Sequence, residues 1–385
     1  MEIQPAAFNA TLRRYQEQAE ELLAAHASGD PQAIQVIHQK HPRFLDAKIP
    51  WLPRDIPASE IRDAPFDLAD AQLTIARWYD FRDWAALEEY VDAVTRDDSS
   101  VFRFESAVEA VINGDAAALA SLLRAHPDLV RARSTRITHF DPPVHRATLL
   151  HYVAANGVEG YRQKTPPNAV EIARTLLDGG AEPDALADMY GEPCTTMSML
   201  VSSSHPAHAG VQVALVDTLV DYGASVEARG GDKWGSPLTT ALVFGFGDAA
   251  EALVRLGARV ENLAAAAGLG RVEDVRRLLP GASAPTRHKA IALAAQLGHT
   301  EIVRLLLDAG EDPNRYNPEG THKHSTPLHQ AVAAGHLDVV RLLAGRGARL
   351  DIQDTIYRST PLGWATYLGQ TEIEKFLQSI GPQRA

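Results

Sequence analysis

Two short runs gather the side chains best suited to chemistry. "THFDPPVHRATLLH" at 138–151 holds His139, Asp141, His145 and His151, and "THKHS" at 321–325 holds His322 and His324. A general acid–base pair needs two groups with separated pKa values facing one cleft. Asp141 with His139 or His145 could form such a pair. Zinc ligands need i,i+4 spacing on a helix or a close pair in a loop. The six-residue steps from His139 to His145 to His151 match neither. His322 and His324 alternate, with no third ligand beside them. The sequence thus points to no metal and no cofactor, and it marks no catalytic residue. It also has no G-x-S-x-G elbow, phosphate-cradling loop or dinucleotide fingerprint. "GFGDAAE" follows a helical pattern rather than a strand, and the serines of "SMLVSSSHP" have no paired base at a recognisable distance.

Composition narrows the function classes. The chain has 385 residues, of which 45% are apolar and only 6% aromatic. That mixture of Ala, Leu and Val suits closely packed helices. The net charge is −12, with no cluster of Lys and Arg to displace counterions from nucleic acid. Cys194 is the single cysteine, so there is no internal disulfide framework, and a reducing compartment is expected. The N-terminus lacks a basic segment followed by an apolar core, and no apolar run reaches the roughly eighteen residues of a membrane span. A cytoplasmic monomer with no membrane and no nucleic-acid partner is expected.

The elements that must position any site are set by a repeat. Thr326 in "STPLHQAVAAGH" matches Thr360 in "STPLGWATYLGQ", 34 residues on. Gly245 and Gly257, Gly298 and Gly310, Gly335 and Gly347, and Gly369 and Gly381 are each twelve apart. Glycine accepts the left-handed conformation that ends a helix. Each unit therefore reads as a helix, a glycine turn, a second helix and a glycine stop. Thr-Pro starts the first helix, with the hydroxyl as cap and Pro where no amide donor is needed.

"TPLHQAVAAGH" and "LLLDAGEDPN" resemble ankyrin repeats, whose T-P-L-H-x-A pattern they carry. The resemblance is strongest in the last two units, good near 236 and 291, and weaker at 104–130. It implies an all-α solenoid of ankyrin type whose β-structure is confined to short hairpin fingers. It also implies that the histidines at 151 and 329 bond within their own turns. Residues 1–100 read as a divergent helical cap covering the first true repeat. Residues 101–385 read as the array, with insertions at 158–168 and 205–211.

The array is irregular. First-helix positions fall at Leu238, Leu263, Ile291, Leu328 and Leu362, in steps of 25, 28, 37 and 34. The short steps leave no room for a finger near 256–268, so a gap is expected there. Long fingers are expected at 130–150, 182–197 and 314–328. "GYRQKTPPN" at 160–168 breaks one unit: Gly157 and Gly180 are 23 apart rather than twelve. "SSSHPAHAGVQ" widens the next unit at the same turn. These two insertions are expected to meet as one accessory patch of Tyr161, Arg162, Lys164, His205 and His208, either a binding site or a brace.

The family resemblance implies a binding module, most often for another protein. Aromatic and basic finger residues are the expected contacts, because such residues dominate interface energetics: Phe140, Tyr190, Trp234, Tyr316, Lys323, Tyr357 and Arg358. Tyr367 joins them from the last unit's first helix. The alternative is a small-molecule binder or enzyme at the 131–147 finger, using His139, Asp141, His145 and Tyr161.

Overall fold

The computed structural model describes residues 3–228, 230–231 and 235–381. Trp234 lies outside them. The chain forms two compact units, Met1–Val211 and Gln212–Ala385. Both are helical. Among the described residues no helix is long and apolar enough to cross a membrane.

In the second unit the repeat becomes a row of helix pairs. Pro237–Val243 pairs with Gly247–Arg255, Leu263–Gly268 with Val272–Leu278, and Ala284–Gln296 with Thr300–Asp308. Pro327–Ala333 then pairs with Leu337–Gly345, and Pro361–Tyr367 with Thr371–Ile380. First helices stack on first helices down the row. Leu238, Ile291, Leu306, Leu328 and Leu343 are buried between them. Ser236 and Thr360 cap their helices by accepting an amide proton, and Pro follows each cap. The apolar face of a helix this short finds cover only from its neighbours, so stability is a sum of pair and interface terms.

A hydrogen bond repeats between pairs. His299 Nε2 lies 2.9 Å from the carbonyl of Gly268, and His336 Nε2 lies 3.0 Å from that of Gln296. Each ring satisfies a carbonyl that the end of the preceding first helix leaves open. Gln370 reaches Ala333 in the same way at 3.4 Å. Thr326 and His329 form a capping box, and His329 Nε2 goes on to the carbonyl of Ser359 in the next unit at 3.1 Å. Thr148, His151 and Cys194 repeat that arrangement in the first unit. These histidines tie units together as well as stiffening their own turns.

In the first unit, Leu12–Ala27 and Pro31–Lys40 pack on Leu68–Trp78, and Trp84–Val94 lies between Leu68–Trp78 and Ser100–Asn113. Leu22, Ile37, Ile75 and Leu87 are fully buried there. Asp30, Asp67, Asp83, Ser99 and Asp115 each cap a helix. Ser100–Asn113 pairs with Ala116–Ala125 and packs on Leu149–Val153, whose partner is Ala169–Asp178. Residue 100 falls inside this unit, which holds both the expected cap and the first array helices.

The fingers differ from the expectation of hairpins. Among the described residues one is a β-hairpin: Leu186–Met189 pairs antiparallel with Glu192–Thr195. Its two turn residues, Tyr190 and Gly191, both have positive φ, as a two-residue turn between twisted strands requires. The connections at 309–326 and 346–360 are instead turns held by a side chain. Asp354 accepts from the amides of Ile356, Tyr357 and Ser359. One carboxylate supplies there what a strand ladder would otherwise supply.

Gly298 combines two demands: its φ is +82°, and a Cβ on it would lie 2.7 Å from the His336 ring. Gly298→Ala is expected to destabilise the second unit by at least about 1–2 kcal/mol from the left-handed backbone alone. A urea midpoint unchanged from wild type would count against the cross-unit contact.

Candidate functional site

The last two connections of the second unit form a cross-linked frame. Tyr316 Oη donates to the carbonyl of Gln353 at 2.7 Å, and the amide of Thr355 donates to His324 O at 2.8 Å. Asn314 bonds both Gly347 O and the amide of Arg349. Trp364 Nε1 donates to Asp354 at 3.0 Å, and its indole lies against the His324 and His329 rings. Burial works against the charge of Asp354, but these hydrogen bonds hold its carboxyl below the usual range. From this frame Tyr357 stands 56% exposed and Tyr367 90% exposed. Burial, then Asp354, then Tyr367 raise the Tyr357 hydroxyl. Arg358 is also exposed, and Lys323 is paired with Glu319 at 2.7 Å. His322 turns inward to Val243 O at 2.9 Å. Among the described residues no group of three or more His, Cys, Asp or Glu could hold a metal.

The first unit uses its candidates differently. Phe140 and Tyr190 are exposed, though Tyr190 Oη bonds Asn156 at 2.7 Å. The 131–147 segment folds back on the unit and buries Arg136, Thr138 and His145. Arg82 N donates to Ile137 O at 3.0 Å, and Phe81 bridges to Thr138. The alternative constellation therefore does not converge. His145 Nε2 bonds Glu159 at 3.1 Å, and Tyr161 Oη accepts from Arg136 at 3.0 Å. His139 meets the carbonyl of Asp80 at 3.4 Å, and Asp141 is exposed. Burial, with Arg77 adding to it, pushes the His139 ring down to about 4.

The insertion "GYRQKTPPN" also turns inward. Arg162, which the sequence assigns to a surface patch, is fully buried, with Nη1 2.6 Å from Glu105 and Nη2 3.4 Å from Glu109. Arg136 Nε lies 3.2 Å from Glu159, which also accepts from Tyr152 at 3.2 Å. Tyr90 donates to Glu105 at 3.2 Å, and the Arg136 guanidinium stacks over Phe81 and Tyr90. Tyr161 packs on Trp78 and Tyr79, and the Gly160 amide donates to Asp80 at 2.6 Å. Lys164 stays exposed, as do His205 and His208 on the short helix Ser204–His208. The physical reason is charge: Glu105 and Glu109 offer Arg162 two carboxylates, where His205 and His208 offer none. The insertion is a clasp between the helix Ser100–Asn113 and the elements before it.

The repeating geometry agrees with comparison to known proteins. A family model of ankyrin repeats in three copies matches residues 262–354 and 291–383. Residues 262–383 are ankyrin repeats. It is 44% identical over 57 residues to the mouse protein "Ankyrin repeat and SAM domain-containing protein 6". That stretch is 15% of this chain and 6% of the mouse protein, so the chain spans a small fraction of that relative's length. The matched ankyrin repeats lie in the second unit, where the Thr-Pro caps and glycine stops are most regular.

Sequence reasoning passed over Glu105, Arg136, Glu159 and Asp80. Glu105 left a readable signal. It shares the inward face of its helix with Val108 and Ile112, where an apolar residue is expected. Glu159 and Asp80 gave none, since both sit in irregular segments. Burial would raise the Glu159 carboxyl, but Arg136, His145 and Arg162 outweigh it and hold the group well below the usual range.

Removing one member of a buried ion pair strands its partner, at about 3–5 kcal/mol. Arg162→Met is expected to destabilise the first unit by that order in urea titration, and a change under about 1 kcal/mol would contradict the clasp. Acid should act in two stages. His151 is lowered to about 4 by burial, so below its ordinary value of 6.5 the unfolded chain takes the proton first and stability falls. Glu159, held below its ordinary value of 4.5, adds loss as pH drops under that value. Thermal melts that stay flat from pH 6.5 to 4.5 would contradict the His151 assignment, and no further fall below pH 4.5 would contradict that of Glu159.

Proposed function

We propose that the protein is a cytoplasmic, monomeric adaptor that captures a protein partner on the groove formed by its finger side. Ankyrin repeats generally serve protein interaction, and the exposed aromatics of the second unit support that use here. The observation that carries it is the placement of Tyr357 and Tyr367. Large rings this exposed rarely help a fold, yet they stand on a frame cross-linked by Tyr316, Asn314 and Asp354. A rigid frame lowers the entropic cost of binding. Tyr and Arg are enriched among residues that dominate interface energy, and Arg358 lies beside Tyr357. Tyr316 and Lys323 extend the surface along the preceding connection. Phe140 and Tyr190 are proposed as lesser contacts on the first unit. The exposed Lys164, His205 and His208 are proposed as its accessory contacts, while Tyr161 and Arg162 serve as brace.

Buried Cys194 is a small packed residue, in keeping with a reducing compartment. A single cysteine permits no internal disulfide.

Neither ring is part of a buried core, so Tyr357→Ala with Tyr367→Ala should fold as wild type does. The pair is expected to lower retention of the specifically captured partner by at least about thirtyfold, the size of a loss of 2 kcal/mol. Quantitative affinity capture of wild type and variant from the same lysate checks it. An identical capture profile would remove the reading.

A further inference from the structure

The shortened connections leave a cleft in the second unit. From Arg255, where one second helix ends, to Leu263, where the next first helix starts, there is no space for a finger. The same is true from Gly281 to Ala284. Two fingers are missing in succession. The next connection, 309–326, bends across the opening, and His322 bonds Val243 O two pairs back at 2.9 Å. The result is a cleft of about 490 Å³, within the roughly 300–1,000 Å³ of small-molecule sites. Its floor is apolar, from Leu242, Leu293 and Ala265, and Pro318 stands at its side.

The helix Ala284–Gln296 builds one wall. It has 13 residues, against seven in Pro237–Val243, Pro327–Ala333 and Pro361–Tyr367. The extra turns precede the point where the regular unit begins. Counting back 37 residues from Thr326, the capping threonine of the next unit, gives Lys289. A lysine on the cleft wall thus replaces a cap. Lys289 is half-buried and has no carboxylate partner among the described residues. Glu319, at the cleft, pairs with Lys323 at 2.7 Å, and Glu311 pairs with Arg287 at 2.9 Å. Burial lowers the Lys289 ammonium from its ordinary value. A desolvated cation without a counter-ion is costly, and an anion entering beside it recovers that cost.

We propose that this cleft binds a small monocarboxylate with an aliphatic body, its carboxylate paired to Lys289 and its chain lying on Leu242 and Leu293. The charge count favours a carboxylate over a phosphate. Lys289 is a single point charge, with no arginine fork to engage several oxygens. Asn262 is already used to cap its own helix, and Thr286 bonds Ser283 at 2.8 Å. This site is separate from the exposed tyrosines and does not depend on capture of a protein partner.

Octanoate titrated into the full chain, followed by calorimetry and by amide chemical shifts, tests it. One saturable site is expected, with shifts centred on Leu242, Ala265 and Leu293. Lys289→Met should weaken binding at least tenfold while leaving the melting curve unchanged, and Lys289→Arg should restore most of it. Octanol should bind at least tenfold more weakly than octanoate. Equal affinity for octanoate in wild type and Lys289→Met would overturn the proposal, as would shifts scattered over the surface or no saturable binding. Should Lys289→Met fail to fold, the shift map and the octanol comparison decide alone.

Discussion

A helix of seven residues cannot cover its own leucines. In the second unit the first helices, three of them of this length, lie against one another, and each is sheltered by the next. That shared interior is the constraint from which the rest follows. It requires the chain to reverse at fixed places, so glycines recur in the left-handed conformation. It leaves carbonyls open at helix ends, and the rings of His299 and His336 close them from the adjoining pair. Where the sequence keeps the beat, the connecting segments are free to carry exposed side chains. Where it shortens the step, a hollow opens.

The first unit meets the same constraint with different means. Its core is aromatic and aliphatic around Leu22, Ile37 and Ile75, but it also encloses Glu105, Arg136, Glu159 and Arg162. Such a cluster is poor support for stability on its own, because desolvation offsets most of the Coulombic gain. What it provides is registry. Glu159 meets His145 and Tyr152 as well as Arg136, and Arg136 also reaches Tyr79 O. A shift of any one element would strand a buried charge. The inserted loop is therefore held in place by penalties for leaving it.

Much of the second unit was legible in the sequence because its signals are local. Thr326 and Thr360 before proline, the paired glycines, and the short steps at Leu238 and Leu263 each have a direct structural consequence. The expected gap follows from spacing alone. The first unit hid more. Its interactions link residues far apart in sequence, such as Asp80 with Gly160 and Arg136 with Tyr79, and no spacing reveals them. The insertion was visible as an interruption, yet its direction was not, since that depends on Glu105 and Glu109 of another helix. Of the expected fingers, the hairpin form is realised at Leu186–Thr195, while Asp354 organises a turn in another connection. Tyr357 and Tyr367 were readable as candidate contacts, from their places in a connection and on the last unit's first helix. Their shared frame was not.

The proposed working surface is the finger side of the second unit, with the second helices as its support. Hydrogen exchange of the chain alone and in complex with its captured partner tests this most directly. Slowed exchange concentrated at 314–326 and 348–367 is the predicted result. Slowed exchange along Thr300–Asp308, Leu337–Gly345 and Thr371–Ile380, with the connections unchanged, would contradict it.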